Sequence, residues 1–160
     1  MKILGSFCLL LLLFQTVETE RLREAYSTAS NSVEEAEVFI KLTESTDSSA
    51  VQQAYRGAAF ALKSKFGKQK IKNLKEAKTL IENAVLSEPE NIEIRMIRLS
   101  IQENLPRIAR YGDAILADKE FIAVHLKNIR NKSLKKYLQG FIAASKSFSP
   151  EEKKLLLQQK

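Results

Sequence analysis

From Glu20 onward, nearly every stretch of this chain spaces its apolar residues three and four positions apart, and none alternates with period two for long enough to make a strand. A 3.6-residue period gathers those residues on one face of a helix, and that face must be buried against other helices. Five glycines and three prolines in 160 residues are also too few for the many tight turns of an all-β fold. Hydrophobic residues make up 44% of the chain, enough for a core, and the length suits one domain. The expected class is all-α. Short connections between helices predict antiparallel hairpins, arranged as a short solenoid or an irregular helical bundle over residues 20–160.

The pattern divides into elements. Leu22, Ala25, Tyr26 and Ala29 share one helical face. Ser32 and Glu35 read as a capping box for a second helix, with Val33, Ala36, Phe39 and Ile40 inward. Ser49 and Gln52 repeat the device for a third, with Val51, Ala54, Tyr55, Ala58 and Leu62 inward. Phe66-Gly67-Lys68 marks a break, after which Leu74, Ala77, Ile81 and Ala84 line a fourth helix. Pro89 separates it from a fifth, which carries Ile94, Ile97, Ile101 and Leu105. A short element follows Pro106 and breaks at Gly112. Asp118 and Ser133 are the expected caps of the next two helices, and Ser149-Pro150-Glu151-Glu152 opens the last.

The first residues follow a different logic. Lys2 precedes an apolar run from Ile3 to Phe14, and polarity returns at Gln15. The run is shorter than the ~20 residues of a membrane-spanning helix. Residues 1–19 therefore read as a signal peptide, and the mature chain as periplasmic or secreted, with an uncleaved anchor as the alternative. Cys8 follows Phe7 inside the run, not the small residue that precedes a lipidated cysteine. Its removal leaves a mature chain without cysteine, so no disulfide supports the core.

Ala77, Ile81, Ala84 and Pro89 resemble the second half of a tetratricopeptide repeat, where small residues let two helices approach and a proline follows. Upstream, Tyr55-Arg56-Gly57-Ala58-Ala59-Phe60 resembles the first helix of such a repeat, with Gly57 at the close contact. The likeness covers roughly Val51 to Asn104. It departs in a longer spacing from Gly57 to Ala77 and in Tyr111, Ile115 and Asp118, where the next repeat would place small residues. With Ile94 to Asn104, the whole resembles a group of small exported bacterial proteins. The resemblance implies a tetratricopeptide-like solenoid and carries no activity with it.

The residue inventory points away from an enzyme. One histidine and one cysteine leave little for a metal cluster or a triad, the glycines are scattered, and no cofactor is expected. His125, near Phe121, Ile122 and Leu126, reads as a partly buried or boundary residue. The expected function is protein or peptide binding, or assembly, with candidate groove or clamp residues Arg95, Met96, Arg98, Ser100, Gln102 and Glu103. In the solenoid frame Glu93, Ile97 and Asn104 share that groove. Arg95, Arg98 and Gln102 form a polar stripe beside the isoleucines, and a half-buried guanidinium there needs a partner: a carboxylate such as Glu76 or Glu82, a backbone carbonyl, or the carboxylate of a ligand or peptide.

The net charge of +7 is the other clue. Lys63, Lys65, Lys68, Lys70, Lys72 and Lys75 lie in a stretch without one acid, a candidate anion-binding loop. The alternative function is a basic module adhering to anionic lipid or polysaccharide of a peripheral envelope surface. Lys127, Arg130, Lys132, Lys135 and Lys136 form a second basic cluster. Nucleic acid is disfavoured by the export segment and the lack of exposed aromatics suited to stacking.

Overall fold

A computed structural model describes residues 18–44 and 49–158, so nearly all of the expected export segment lies outside the described residues. The fold is all-α. Among the described residues there are eight helices and no strand: 18–28 (α1), Val33–Glu44 (α2), Ala50–Phe66 (α3), Lys70–Ser87 (α4), Ile92–Asn104 (α5), Ile115–His125 (α6), Lys132–Ala144 (α7) and Pro150–Leu157 (α8). Short 3₁₀ turns occupy Arg107–Ala109 and Leu126–Asn128.

The helix starts show why these segments are helical. The Ser32 hydroxyl accepts from the Glu35 amide at 3.1 Å. Ser49 with Gln52, and Ser149 with Glu152, form full capping boxes, each satisfying two amides that a helix start leaves open. Asn91 caps α5 by accepting from the amides of Glu93 and Ile94, while Pro89 stays in the preceding turn.

Two expected caps are different. Asn131, not Ser133, caps α7, accepting from the Leu134 amide at 3.0 Å, so the helix starts two residues earlier than expected. Asp118 caps nothing. It sits within the first turn of α6 and is fully buried, because its carboxylate is taken by two arginines. Val33, expected inward, is 48% exposed at the start of α2, where Ala36 and Phe39 make the buried face.

α3 packs along α4, and both meet α5; α5 in turn meets α6 and α7, α7 meets α8, and α2 covers α3. The α3–α4 contact is close because Gly57 has no side chain: a Cβ there would lie 2.6 Å from Ile81 Cγ1 and 3.1 Å from the Ala77 carbonyl oxygen. Nine of the thirteen residues of α5 are buried, which makes it the central helix. Ile94, Ile97 and Leu99 are fully buried, and such side chains contribute roughly 1.5–3 kcal/mol each through removal from water.

Candidate functional site

The polar residues of α5 are where the sequence raised the sharpest question. Arg98 and Arg95 project from it toward α4 and α6. Arg98 Nε donates to Asp118 Oδ2 at 2.7 Å and Nη2 to Oδ1 at 2.8 Å, a two-pronged pair with a fully buried carboxylate. Its remaining Nη1 donates to Glu82 Oε2 at 2.8 Å. Arg95 Nη1 donates to Asp118 Oδ1 at 2.9 Å, Arg95 Nε donates to the Pro89 carbonyl at 2.9 Å, and the guanidinium lies over the Phe121 ring. Tyr111 Oη closes the cluster by donating to Glu82 Oε1 at 2.7 Å.

Two cations thus face two carboxylates across three helices. Burial works against the Arg98 charge, but the hydrogen bonds and charges of Asp118 and Glu82 outweigh it and hold its pKa above the ordinary arginine value. Burial, reinforced by Glu82, pushes the Tyr111 hydroxyl well up. Glu82 was within reach of sequence reasoning, and Glu76 is exposed. Asp118 was missed as a partner. The signal was there: Ile115, Asp118 and Ile122 stand at i, i+3, i+7, which puts an acid inside an apolar stripe.

The other face of α5 is closed by α1. Arg23 on α1 makes a two-pronged pair with buried Glu93, at 2.8 and 2.7 Å, and Tyr55 Oη donates to the same carboxylate at 2.7 Å. Tyr26 Oη donates to Ser100 Oγ at 3.1 Å, and its ring meets Phe39 and Tyr55. Burial pushes the Tyr26 hydroxyl up to about 12, and raises Tyr55 and Tyr137 as well. At the end of α5, Glu103 Oε2 accepts from the hydroxyls of Ser145 and Ser147 and from the amides of Lys146 and Ser147. That single oxygen fastens the turn between α7 and α8.

The expected groove on α5 therefore does not lie open. Met96 and Ile97 are buried, Glu93 and Ser100 are covered by α1, and Arg95, Arg98 and Glu103 have internal partners. Buried Gln102 is different in one respect, since its Oε1 has no hydrogen-bond partner among the described residues. The groove is closed because α1 packs on this side: its Leu22, and Ala29 just after it, are themselves core residues.

The lysine run is not a loop. Lys63 and Lys65 lie in the last turn of α3, Lys70, Lys72 and Lys75 in the opening turns of α4, and only residues 67–69 connect them. Lysine is a good helix former, so the run lengthens the hairpin instead of interrupting it. Lys63 pairs with Glu44 at 3.3 Å. Lys65 Nζ lies over the Phe66 ring at 5.0 Å. Lys68, Lys70, Lys72 and Lys75 are exposed, with no ion pair among the described residues. Gln69 gives α4 no side-chain cap, and its first turn holds no acid.

Two apolar side chains share this tip, Phe66 at 43% and Ile71 at 86% exposure. An open groove of about 380 Å³ runs beside it, with Val33, Ala36, Ile40 and Phe66 as apolar lining, Lys63 and Lys68 as basic lining, and Glu37 as the carboxylate. A second shallow depression is formed by residues 68–72, so the two share Lys68 and Gln69.

His125 is structurally engaged: Nδ1 donates to the Phe121 carbonyl at 2.8 Å, and the rings stack at 4.0 Å. The second basic cluster lies around the start of α7. Among the described residues no group of three or more His, Cys, Asp or Glu could hold a metal ion, and no helix is long and apolar enough to cross a membrane. No family model, curated protein or solved structure matches the chain.

Proposed function

We propose that this chain is an exported, non-enzymatic helical module that holds to a negatively charged surface or partner through the tip of the α3–α4 hairpin. The observation that carries the reading is the collection of lysines at one end of two packed helices, with no acid from residue 63 to 75 and exposed ammonium groups at 68, 70, 72 and 75. Such a field attracts anions and weakens as salt screens it. For the lysines at the start of α4, fold stability offers no reason. Positive charge at a helix N-terminus opposes the macrodipole, at about 0.3–1 kcal/mol per residue in low salt. Export is part of the proposal and is supported by the apolar run Ile3–Phe14.

The same proposal includes a tetratricopeptide-like arrangement of α3/α4, α5/α6 and α7/α8. Its support is the glycine-mediated approach of α3 to α4 and the packing of α3 on α5 and of α5 on α7. In this arrangement α1 covers the side where a peptide would otherwise bind, so the partner is met at the tip.

A polyanionic resin tests the reading. The chain is expected to be retained at low salt, and the triple variant Lys68→Gln, Lys70→Gln, Lys72→Gln to elute much earlier. A control variant Lys127→Gln, Arg130→Gln, Lys132→Gln removes the same charge elsewhere. Equal elution of the two variants would show that net charge alone, not the tip, governs binding.

A further inference from the structure

Resting on that reading, we propose that the surface met by the tip is an anionic phospholipid bilayer, with Phe66 and Ile71 entering its interface between the lysines. Ile71 stands between Lys70 and Lys72 in the first turn of α4 and is 86% exposed, so it serves no core. Phe66 closes α3 on the other side of the turn. A soluble polyanion or a sugar chain would satisfy the ammonium groups and leave both apolar side chains in water. A phospholipid interface satisfies both, because its phosphates lie just above an apolar layer.

The lysines suit that boundary. Their aliphatic stems can lie along the apolar layer while the ammonium groups reach the headgroups. Lys65 is already folded over Phe66, and the neighbouring groove repeats the arrangement, with Val33, Ile40 and Phe66 against Lys63 and Lys68. Lysines flank the turn on both helices, at 63 and 65 on α3 and at 70 and 72 on α4. A hairpin tip of this kind lies on a membrane instead of spanning it.

The energetic expectation separates the two contributions. A basic residue near an anionic surface contributes roughly 1 kcal/mol, about fivefold in partition coefficient. Neutralising Lys68, Lys70 and Lys72 should therefore weaken vesicle binding on the order of a hundredfold. Phe66→Ser with Ile71→Ser should weaken it about tenfold or more at physiological salt, since apolar insertion is not screened.

The experiment uses vesicles of phosphatidylglycerol with phosphatidylcholine, vesicles of phosphatidylcholine alone, and the polyanionic resin. Reading ratios between variants of one chain cancels any contribution from Ile3–Phe14. The sequence contains no tryptophan, so Ile71→Trp places a single reporter at the tip. Expected are preference for anionic vesicles, loss of vesicle binding in the double serine variant with resin binding kept, and a blue shift of the introduced indole on anionic vesicles only. Binding to resin without binding to anionic vesicles overturns the lipid assignment and leaves the anionic-tip function standing, with an acidic macromolecule as partner. Vesicle binding that needs the lysines but ignores Phe66 and Ile71, with an indole still in water, overturns the insertion. Failure to bind either probe removes both proposals.

Discussion

Substituting Arg98→Met tests the buried cluster most directly. Methionine keeps the apolar stem but removes three charged hydrogen bonds, two to Asp118 and one to Glu82. Asp118 is fully buried and would keep a single bond from Arg95. Breaking a buried ion pair while leaving one partner behind costs about 3–5 kcal/mol. The remaining Arg95 bond places this site toward the low end of that range. Glu82 is part exposed and keeps Tyr111, so its loss is largely compensated by water. The expected total is roughly 3 kcal/mol, which for a chain of this size lowers Tm by about 6–12 °C. Urea denaturation followed by helical circular dichroism at pH 7 measures it, with the denaturant slope unchanged and the midpoint lower by about 1 M or more. Adding Asp118→Leu removes the stranded carboxylate and should recover most of the loss. If Arg98→Met lies within about 0.5 kcal/mol of wild type, well below the cost of a broken buried pair, the cluster is not a clamp. A double variant no better than the single refutes the stranded-charge account.

Two glycines should respond with opposite signs. Gly57→Ala gains about 1 kcal/mol of helix propensity but forces a methyl against Ile81 and the Ala77 carbonyl, so net destabilisation of roughly 1–2 kcal/mol is expected. Gly140→Ala in α7 meets nothing within 4 Å and should stabilise by up to about 1 kcal/mol; thermal melts of both decide whether the α3–α4 approach is as tight as described. All four tyrosines have raised pKa values in the fold, Tyr26 to about 12. The unfolded chain then releases their protons first, so their stabilisation is complete below about pH 10 and falls as pH climbs from 10 toward 12 and beyond. The slope is about 1.4 kcal/mol per pH unit for each such tyrosine, and a flat stability profile from pH 9 to 11.5 would contradict the burial of these hydroxyls. Finally, Lys70→Glu with Lys72→Glu should raise the melting temperature, because acids suit the start of α4, while weakening retention on a polyanion; a variant less stable than wild type would mean these lysines have a structural task.

The helices themselves were legible in the residues, because what makes them is local. A capping serine meets an amide three positions on, as at Ser49 and Ser149, and an apolar stripe needs only the helical period. The basic tip was visible as composition, though its helical geometry was not. Tertiary structure alone decided the partners: Asp118 with Arg98 across 20 residues, Arg23 with Glu93 across 70, and Ser145 and Ser147 with Glu103 across more than 40. Nothing local selects among the carboxylates of a charged chain. The selection is made when α1, α4 and α6 close on α5, since a buried charge is tolerated only where an opposite one arrives with it.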